Sequence, residues 1–319
     1  MMNKPCISVV MSVYKEPVEW LSQSIDSILQ QTFSDFEFLI ICDNPAYKEA
    51  IDLLNYYARK DNRIRLIFND ENIGLTKSLN KGIDVAKGAY IARMDADDVS
   101  LPERLEEQVE FLEKHQEIGV CGCIIEYIGN RFGIRKLPEK MEEMFLFLES
   151  PFAHPTVMMR RVLCGETIKY DEYYAVSQDY ALWTHLYKKG VVFYNIQKPL
   201  LKYRVNDQQI MSQKGHIQRK LSCVIRRKAM DYYFEKTHSQ YRLEDKPMTM
   251  REKGKVLKNI VAPQNIKAEL KYYLYNSISV GLLCKLWNLV LDGGMVELPL
   301  GKIARIIKYQ LKGIDESKF

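Results

Sequence analysis

The chain alternates short apolar runs with longer segments whose apolar positions fall three and four apart. "CISVVMSVY" is an unbroken, β-branched run and reads as a strand buried on both faces. "VEWLSQSIDSILQQ" then lines up Leu21, Ile25, Ile28 and Leu29 on one helical stripe. "FEFLIICD" predicts a second strand, "YKEAIDLLNYYARK" a second helix and "RIRLIF" a third strand. "GLTKSLNKGIDVAK" predicts a third helix stopped by Gly88. "AYIARM" follows as a fourth strand and "PERLEEQVEFLEKH" as a fourth helix, with Ser100 and Glu103 spaced as a capping box. Cys121 and Cys123, in "GVCGCIIEYIG", alternate along a further strand. Strand–helix alternation of this kind predicts an α/β fold, with a mostly parallel central sheet flanked by helices. From about residue 206 the pattern turns helical and basic. The expected division is one domain over 1–205 and a helical C-terminal extension over 206–319.

Composition adds little until charge is mapped. Residues 201–319 carry 23 Lys and Arg against 11 Asp and Glu, while the first 200 residues carry 23 against 30. Amphipathic basic segments such as "LSCVIRRKAMDYYFEK" make an anionic membrane surface a candidate partner for 206–319. The alternative is a helical extension packed on the core with its lysines in water. Nucleic acid is not expected as a partner. No recognised binding motif is present, and the acidic first 200 residues repel phosphate. No apolar run reaches the roughly 18–20 residues of a membrane span. The best stretch, "SISVGLLCKLWNLVL", is short and carries Lys285. The N-terminus turns polar by Ser12, unlike a secretory leader. The 7 cysteines show no metal or disulfide spacing and read as small apolar residues in a reducing compartment. The expected location is cytoplasmic, or peripheral on the cytoplasmic membrane face.

In an open α/β sheet, ligands bind beyond the carboxyl ends of the strands. That rule selects Ser12, Val13 and Tyr14, then Asp43 and Asn44, then Asp95, Ala96, Asp97 and Asp98. Asp95 and Asp97 are two apart and share a side if the strand geometry persists. Two such carboxylates suit a hard divalent cation with open positions for phosphate oxygens. Asp98 would face elsewhere and order the turn into the helix. The simpler alternative is that the aspartates only solvate that turn and favour the helix N-terminus. "VYKEPVEW" has no glycine, so a dinucleotide-binding turn is excluded, and GxxxxGK[ST] is absent. The phosphates are therefore expected on a metal rather than in a glycine loop.

These blocks together resemble the family 2 glycosyltransferases of GT-A fold. The resemblance rests on "ISVVMSVYKEPVEWLSQSIDSILQQTFSDFEFLIICDN", "NDENIGLTKSLNKGIDVAKGAYIARMDADD", "PFAHPTVMMRR" and "YDEYYAVSQDYALW", over roughly residues 6–205. It implies a GT-A-type nucleotide-binding domain over 1–205, with a nucleotide-sugar half at about 1–100 and an acceptor half at about 101–205. The implied activity is metal-dependent, inverting transfer of one hexosyl or N-acetylhexosaminyl group. The donor is a nucleotide sugar, UDP-linked by family frequency, and the acceptor a glycan or lipid-linked hydroxyl in surface polysaccharide or glycolipid synthesis. The implied cofactor is Mn2+ or Mg2+.

Site roles follow from the same resemblance. Ser12 and Tyr14 would line the base pocket, with Tyr14 packing on the base. Asp43 would accept a hydrogen bond from the base. Asp95 would lie near the ribose or the metal, and Asp97 would hold the metal on the diphosphate. Asp179 would be the general base, and His154, Gln178 and Trp183 would border the sugar or acceptor. Structural alternatives stay open: plain packing for Tyr14, an Asx turn before Pro45 for Asp43, an N-cap for Asp179, and a structural hydrogen bond for His154. Lys77 and Arg93 either approach phosphate or base, or are solvated.

The chain also departs from the family pattern. Gln178 stands where a Glu often precedes the base, His185 where an Arg is common, and Asn206 where a His would complete the metal site. QxxRW, the mark of processive synthases, is absent, which favours one sugar per binding event. The departures leave open a second class, a non-catalytic GT-A module that binds a nucleotide sugar or a partner enzyme. A nucleotidyltransferase is a third, which usually wants a glycine-rich loop after strand one.

Overall fold

A computed structural model describes residues 4–140 and 150–206, together with Gln218, Leu221, Ser222, Val224, Ile225, Lys228, Ala229 and Tyr232. Most of the basic 206–319 segment, including its expected helices and membrane-facing role, lies outside the described residues. The described residues through Ala229 form one compact unit.

The first half follows the apolar pattern. Strands β1 (Ile7–Val13) and β2 (Phe36–Cys42) are buried at every position, as unbroken β-branched runs require. β3 (Ile64–Phe68), β2, β1 and β4 (Tyr90–Asp95) lie side by side, all parallel. Helices α1 (Val18–Leu29), α2 (Lys48–Lys60) and α3 (Leu75–Val85) form the crossovers. Leu21, Ile25 and Ile28 of α1, and Ala50, Leu54 and Tyr57 of α2, are buried at one-turn spacing. They share a core with Val9, Met11 and Val13 of β1. The opposite sheet face takes α3, where a Cβ on Gly82 would lie 2.7 Å from Val10 and 2.8 Å from Ile41. Helices thus cover both faces.

Two local expectations are corrected. α3 ends at Val85, and Gly88 does not cap it in the left-handed conformation. Gly88 is there for close approach, because a Cβ would meet the Ser8 amide nitrogen at 2.5 Å. Ser100 makes no capping box either. It lies in β5 (Val99–Ser100), its amide donates to Ser27 Oγ at 3.0 Å, and its hydroxyl accepts from Gln31 at 3.1 Å. Helix α4 (Arg104–Lys114) starts without a side-chain cap.

Beyond β4 the sheet becomes mixed. Its order continues through β8 (Met158–Arg160), β6 (Ile118–Gly129) and β11 (Val192–Val205) to β5, with β7 (Gly133–Arg135) paired to β6. β8 is antiparallel to both neighbours, β6 and β11 are parallel, and β5 is antiparallel to β11. A two-stranded ribbon, β9 (Val162–Leu163) with β10 (Glu166–Thr167), stands apart from the sheet. Helix α5 (Gln178–Lys188) buries Tyr180, Leu182, Trp183 and Leu186. Cys121 and Cys123 alternate on β6 as expected and are buried free thiols. Among the described residues, no helix is long and apolar enough to cross a membrane.

Candidate functional site

β1, β2 and β4 run parallel, so their carboxyl ends converge on one rim. Ser12 sits opposite Asp95 in the β1–β4 register. Beyond Val13 the chain leaves the sheet, and the Tyr14 ring is 37% exposed. The Tyr14 and Lys15 amides donate to Glu16 Oε2 at 2.7 and 3.1 Å, which folds that carboxylate back over the strand end.

Asp43 is buried, and its carboxylate organises the loop that enters α3. Oδ1 accepts from the Ile73 amide at 2.9 Å and from Asn69 Nδ2 at 2.8 Å, and Oδ2 accepts from the Gly74 amide at 2.9 Å. Gly74, at φ 85°, provides the left-handed step that aims this amide. The Asx turn before Pro45 belongs instead to Asn44. Its Oδ1 accepts from the Ala46 amide at 3.2 Å, and its Nδ2 donates to the Tyr14 carbonyl at 2.9 Å.

β4 stops at Asp95, and Ala96 and Asp97 form a turn. The extended geometry that would align Asp95 with Asp97 therefore does not persist. Asp95 pairs instead with Arg93, two residues back on the same strand face. Arg93 is 1% exposed, so it is a buried clamp and not a solvated rim cation. Asp97 is half-buried, and its carboxyl is pushed up to about 7, first by burial and then by the charges of Asp95 and Glu16. Asp98 is buried and raised well above the carboxylate range, by burial and then by Asp95 and Asp97. Burial also raises Glu16. Asp98 does not order the start of α4. Its Oδ1 accepts from the Arg204 amide at 2.8 Å, and its buried Oδ2 has no hydrogen-bond partner among the described residues. Arg204 closes the arrangement from β11. Its Nε donates to the Asp97 carbonyl at 2.7 Å and its Nη2 to Gln23 Oε1 at 2.7 Å. Asn206 follows β11 at the same rim.

Asp179 is the second residue of α5, not its cap. The cap position is Ser177, at φ 61°, a left-handed conformation rare for a residue with a Cβ. Burial raises the Asp179 carboxyl, the Tyr180 amide and the Ser150 hydroxyl oppose that, and the Asp95 charge adds to it. The two carboxylates sense each other across the site. His154 takes the structural reading: its Nε2 lies 2.8 Å from the Tyr170 hydroxyl, and burial with the Arg93 charge holds the imidazole neutral. The acceptor-pocket expectation for Trp183 is corrected. It is 0% exposed, on the inward face of α5, packed edge-on against Phe152 and Phe193. Gln178 is likewise buried. Lys77 and His185 are exposed helix-surface residues.

The structure thus gathers Ser12, Tyr14, Asp95 and Asp97 with Arg93, which the sequence offered as a contact to phosphate or base, and with Glu16 and Arg204, two residues that sequence reasoning did not assign to the site. A Glu two residues past Tyr14 at the same rim was the available signal. The carboxylates fit a divalent cation. Their mutual repulsion and burial outweigh the opposing charges of Arg93 and Arg204, a buried Asp98 oxygen has no hydrogen-bond partner among the described residues, and an all-oxygen donor set suits Mg2+ or Mn2+. Among the described residues, no three His, Cys, Asp or Glu side chains are grouped to hold a metal unaided.

Residues 8–165 match the profile of Glycosyl transferase family 2. The chain is 37% identical over 243 residues to a glycosyltransferase of Methanocaldococcus jannaschii, covering 74% of this chain and 80% of that one. It is 34% identical over 207 residues to the O-antigen biosynthesis glycosyltransferase WbnJ of Escherichia coli, covering 63% and 80%. Its fold is similar to that of S. aureus TarS 1–349 in complex with UDP-GlcNAc, at TM-score 0.58 and 16% identity, covering 84% of this chain and 86% of that one. It spans 52% of the longer TarS chain. It is also similar to the mannosyltransferase PcManGT of Pyrobaculum calidifontis in complex with GDP-Man and Mn2+, at TM-score 0.52 and 14% identity, covering 95% and 83%. These neighbours show the GT-A fold.

Proposed function

The chain belongs to glycosyl transferase family 2, and on that premise we propose that it moves one sugar, with inversion, from a UDP-linked donor to a glycan or lipid-linked acceptor hydroxyl. The observation that carries this reading is that Asp97 and Asp98, beside Asp95 just past the carboxyl end of β4, are both raised by burial and by neighbouring carboxylate charge, while a buried Asp98 oxygen has no hydrogen-bond partner among the described residues. Such an arrangement opposes folding and suits cation-assisted diphosphate binding. The UDP-GlcNAc held by TarS supports a uridine donor, and the name of WbnJ supports surface-polysaccharide assembly; the location in this reading is the cytoplasm or the cytoplasmic membrane face. The transfer domain in this reading is 1–205, extended by 206–319.

Ser12 and Tyr14 border the base, and the exposed Tyr14 ring offers it a stacking face. Asp43 Oδ2 accepts one hydrogen bond from the protein and has a second lone pair for a base N–H. Asp97 is the residue that would hold Mn2+ or Mg2+. When bound, the ion acts as a Lewis acid on the departing diphosphate. Arg93 anchors Asp95 below that loop, and Arg204 fixes the loop from the β11 side. Asp179 takes the proton of the acceptor hydroxyl as the glycosidic bond forms. Its raised carboxyl makes it a stronger base than a solvated aspartate, and the start of α5 holds it rigidly. One base with one displacement inverts the anomeric centre.

Gln178, in place of Glu, favours a second reading as a non-catalytic nucleotide-sugar-binding module. A donor panel read as released nucleoside diphosphate separates the two. Transfer predicts release from at least one nucleotide sugar in Mn2+ and none in EDTA. A chain that binds donors but releases nothing from any of them is the binding module.

A further inference from the structure

The described surface carries one apolar tip ringed by cations, at the turn between β6 and β7. Phe132 is 83% exposed and Ile134 59% exposed, the two most exposed of the large hydrophobic side chains apart from Tyr173. Arg131 and Lys136 flank them in solvent, and Arg135 lies between. The one carboxylate of the hairpin, Glu126, sits opposite Ile134 on one side and Lys202 on the other. The Arg131 guanidinium rests 3.9 Å from the Tyr127 ring, so the arm of the turn is stiffened and Phe132 is held outward. Phe132 and Ile134 lie two positions apart in the same turn and together leave an apolar tip bare to solvent among cations.

The turn is also tied to the site. Gly129 pairs with Val205, and the Asn130 amide donates to the Val205 carbonyl at 2.9 Å. Val205 directly follows Arg204, which donates to the Asp97 carbonyl. A surface met by Phe132 therefore lies next to the rim where the carboxylates converge.

We propose that the β6–β7 turn is a membrane-docking element, with Phe132 and Ile134 entering the interface of an anionic bilayer and Arg131 and Lys136 binding its lipid phosphates. Apolar burial and charge attraction act together in such docking, and the charge part is screened over about 8 Å at physiological salt. Docking here brings the transfer site to the membrane plane, where a lipid-linked acceptor is held. The proposal does not depend on 206–319, and docking is read without sugar transfer, so either reading can fail alone.

The test is co-sedimentation of the full chain with phosphatidylcholine vesicles, with and without phosphatidylglycerol. The wild type is expected to sediment with the anionic vesicles. F132S/I134S should lower that partition about tenfold or more. R131Q/K136Q should lower it on anionic vesicles and lose its salt dependence. Phe132→Trp should shift its emission to the blue when anionic vesicles are added. Thermal midpoints should hold for F132S/I134S and Phe132→Trp, whose replaced side chains are exposed, while R131Q/K136Q also removes the Arg131–Tyr127 contact and is read for its salt dependence only. Three results overturn the proposal: a wild type that stays in solution, an F132S/I134S variant that sediments like wild type, or a Phe132→Trp emission unmoved by vesicles. A change of oligomeric state in F132S/I134S with vesicle binding intact would assign the turn to self-association instead.

Discussion

Glu37 and Asp97 are carboxylates at opposite ends of the same sheet, and the protein treats them in opposite ways. Glu37, near the amino end of β2, accepts from Ser8 Oγ at 2.7 Å, from the Lys87 amide at 2.6 Å and from Arg65 at 2.5 Å. Burial alone would raise it, but these donors together hold its carboxyl below the usual range. Asp97, just past the carboxyl end of β4, is pushed up to about 7 by burial first and then by the charges of Asp95 and Glu16, against a smaller opposing pull from Arg204. One end satisfies its buried charge from within the fold. The other sets carboxylates near one another and raises Asp97 and Asp98 toward the protonated form, which is the mark of a site as opposed to a joint.

Breaking the rim should cost function and not stability. Asp97→Asn is expected to lower sugar transfer by about a thousandfold, the several kcal/mol that cation stabilisation of a leaving group provides. It should also raise metal-free stability above pH 7. The sign follows from the raised carboxyl. Between its ordinary value of 3.8 and about 7 the folded state binds the extra proton, so the wild type loses stability as pH rises through that window, and Asn removes the loss. Urea unfolding of both proteins in EDTA across that range, beside initial rates in Mn2+, checks both halves.

Asp179→Asn is the next largest break. It keeps the shape of the helix start but accepts no proton. Transfer should fall on the order of a hundredfold, with nucleotide affinity nearly unchanged. Were Asp179 only a helix-terminal carboxylate, Asn would serve almost as well, and paired rate and affinity measurements on this variant distinguish the two.

The joint should respond in reverse. Glu37→Gln is expected to leave transfer within a few-fold and to cost about 1–3 kcal/mol of stability, because Ser8, Lys87 and Arg65 lose a charged acceptor. That cost is present above the unfolded-state value of 4.5 and fades as pH falls through the lower folded-state value, the opposite trend to Asp97. Denaturant midpoints of Glu37→Gln near neutrality and in acid would show it.

The sequence made the joint end easier to read than the site end. β1, β2 and β4 are apolar runs buried at nearly every position, so their composition suffices to find them. β5 and β8 have two and three residues, and each pairs only with strands distant in sequence, a relation no local pattern carries. Ser100 shows the consequence. Its spacing to Glu103 matched a cap, but pairing with Leu201 on β11 had already claimed it. Asp95 and Asp97 were legible as chemistry because three aspartates after an apolar run are hard to explain by folding. Their geometry was not, since the turn at Ala96 and the Arg93 pair decide it. Trp183 was placed at the sugar or acceptor by the resemblance alone, and its packing against Phe152 and Phe193 shows a core residue.

The central claim is that the rim carboxylates hold a cation for a nucleoside diphosphate while Glu37 holds only the fold. Thermal unfolding with UDP, in Mn2+ and in EDTA, tests it most directly on wild type, Glu37→Gln and Asp97→Asn. Wild type and Glu37→Gln should each gain several degrees from UDP in Mn2+ and almost none in EDTA, while Asp97→Asn gains little in either. An Asp97→Asn protein stabilised by UDP and Mn2+ as strongly as wild type would contradict the account.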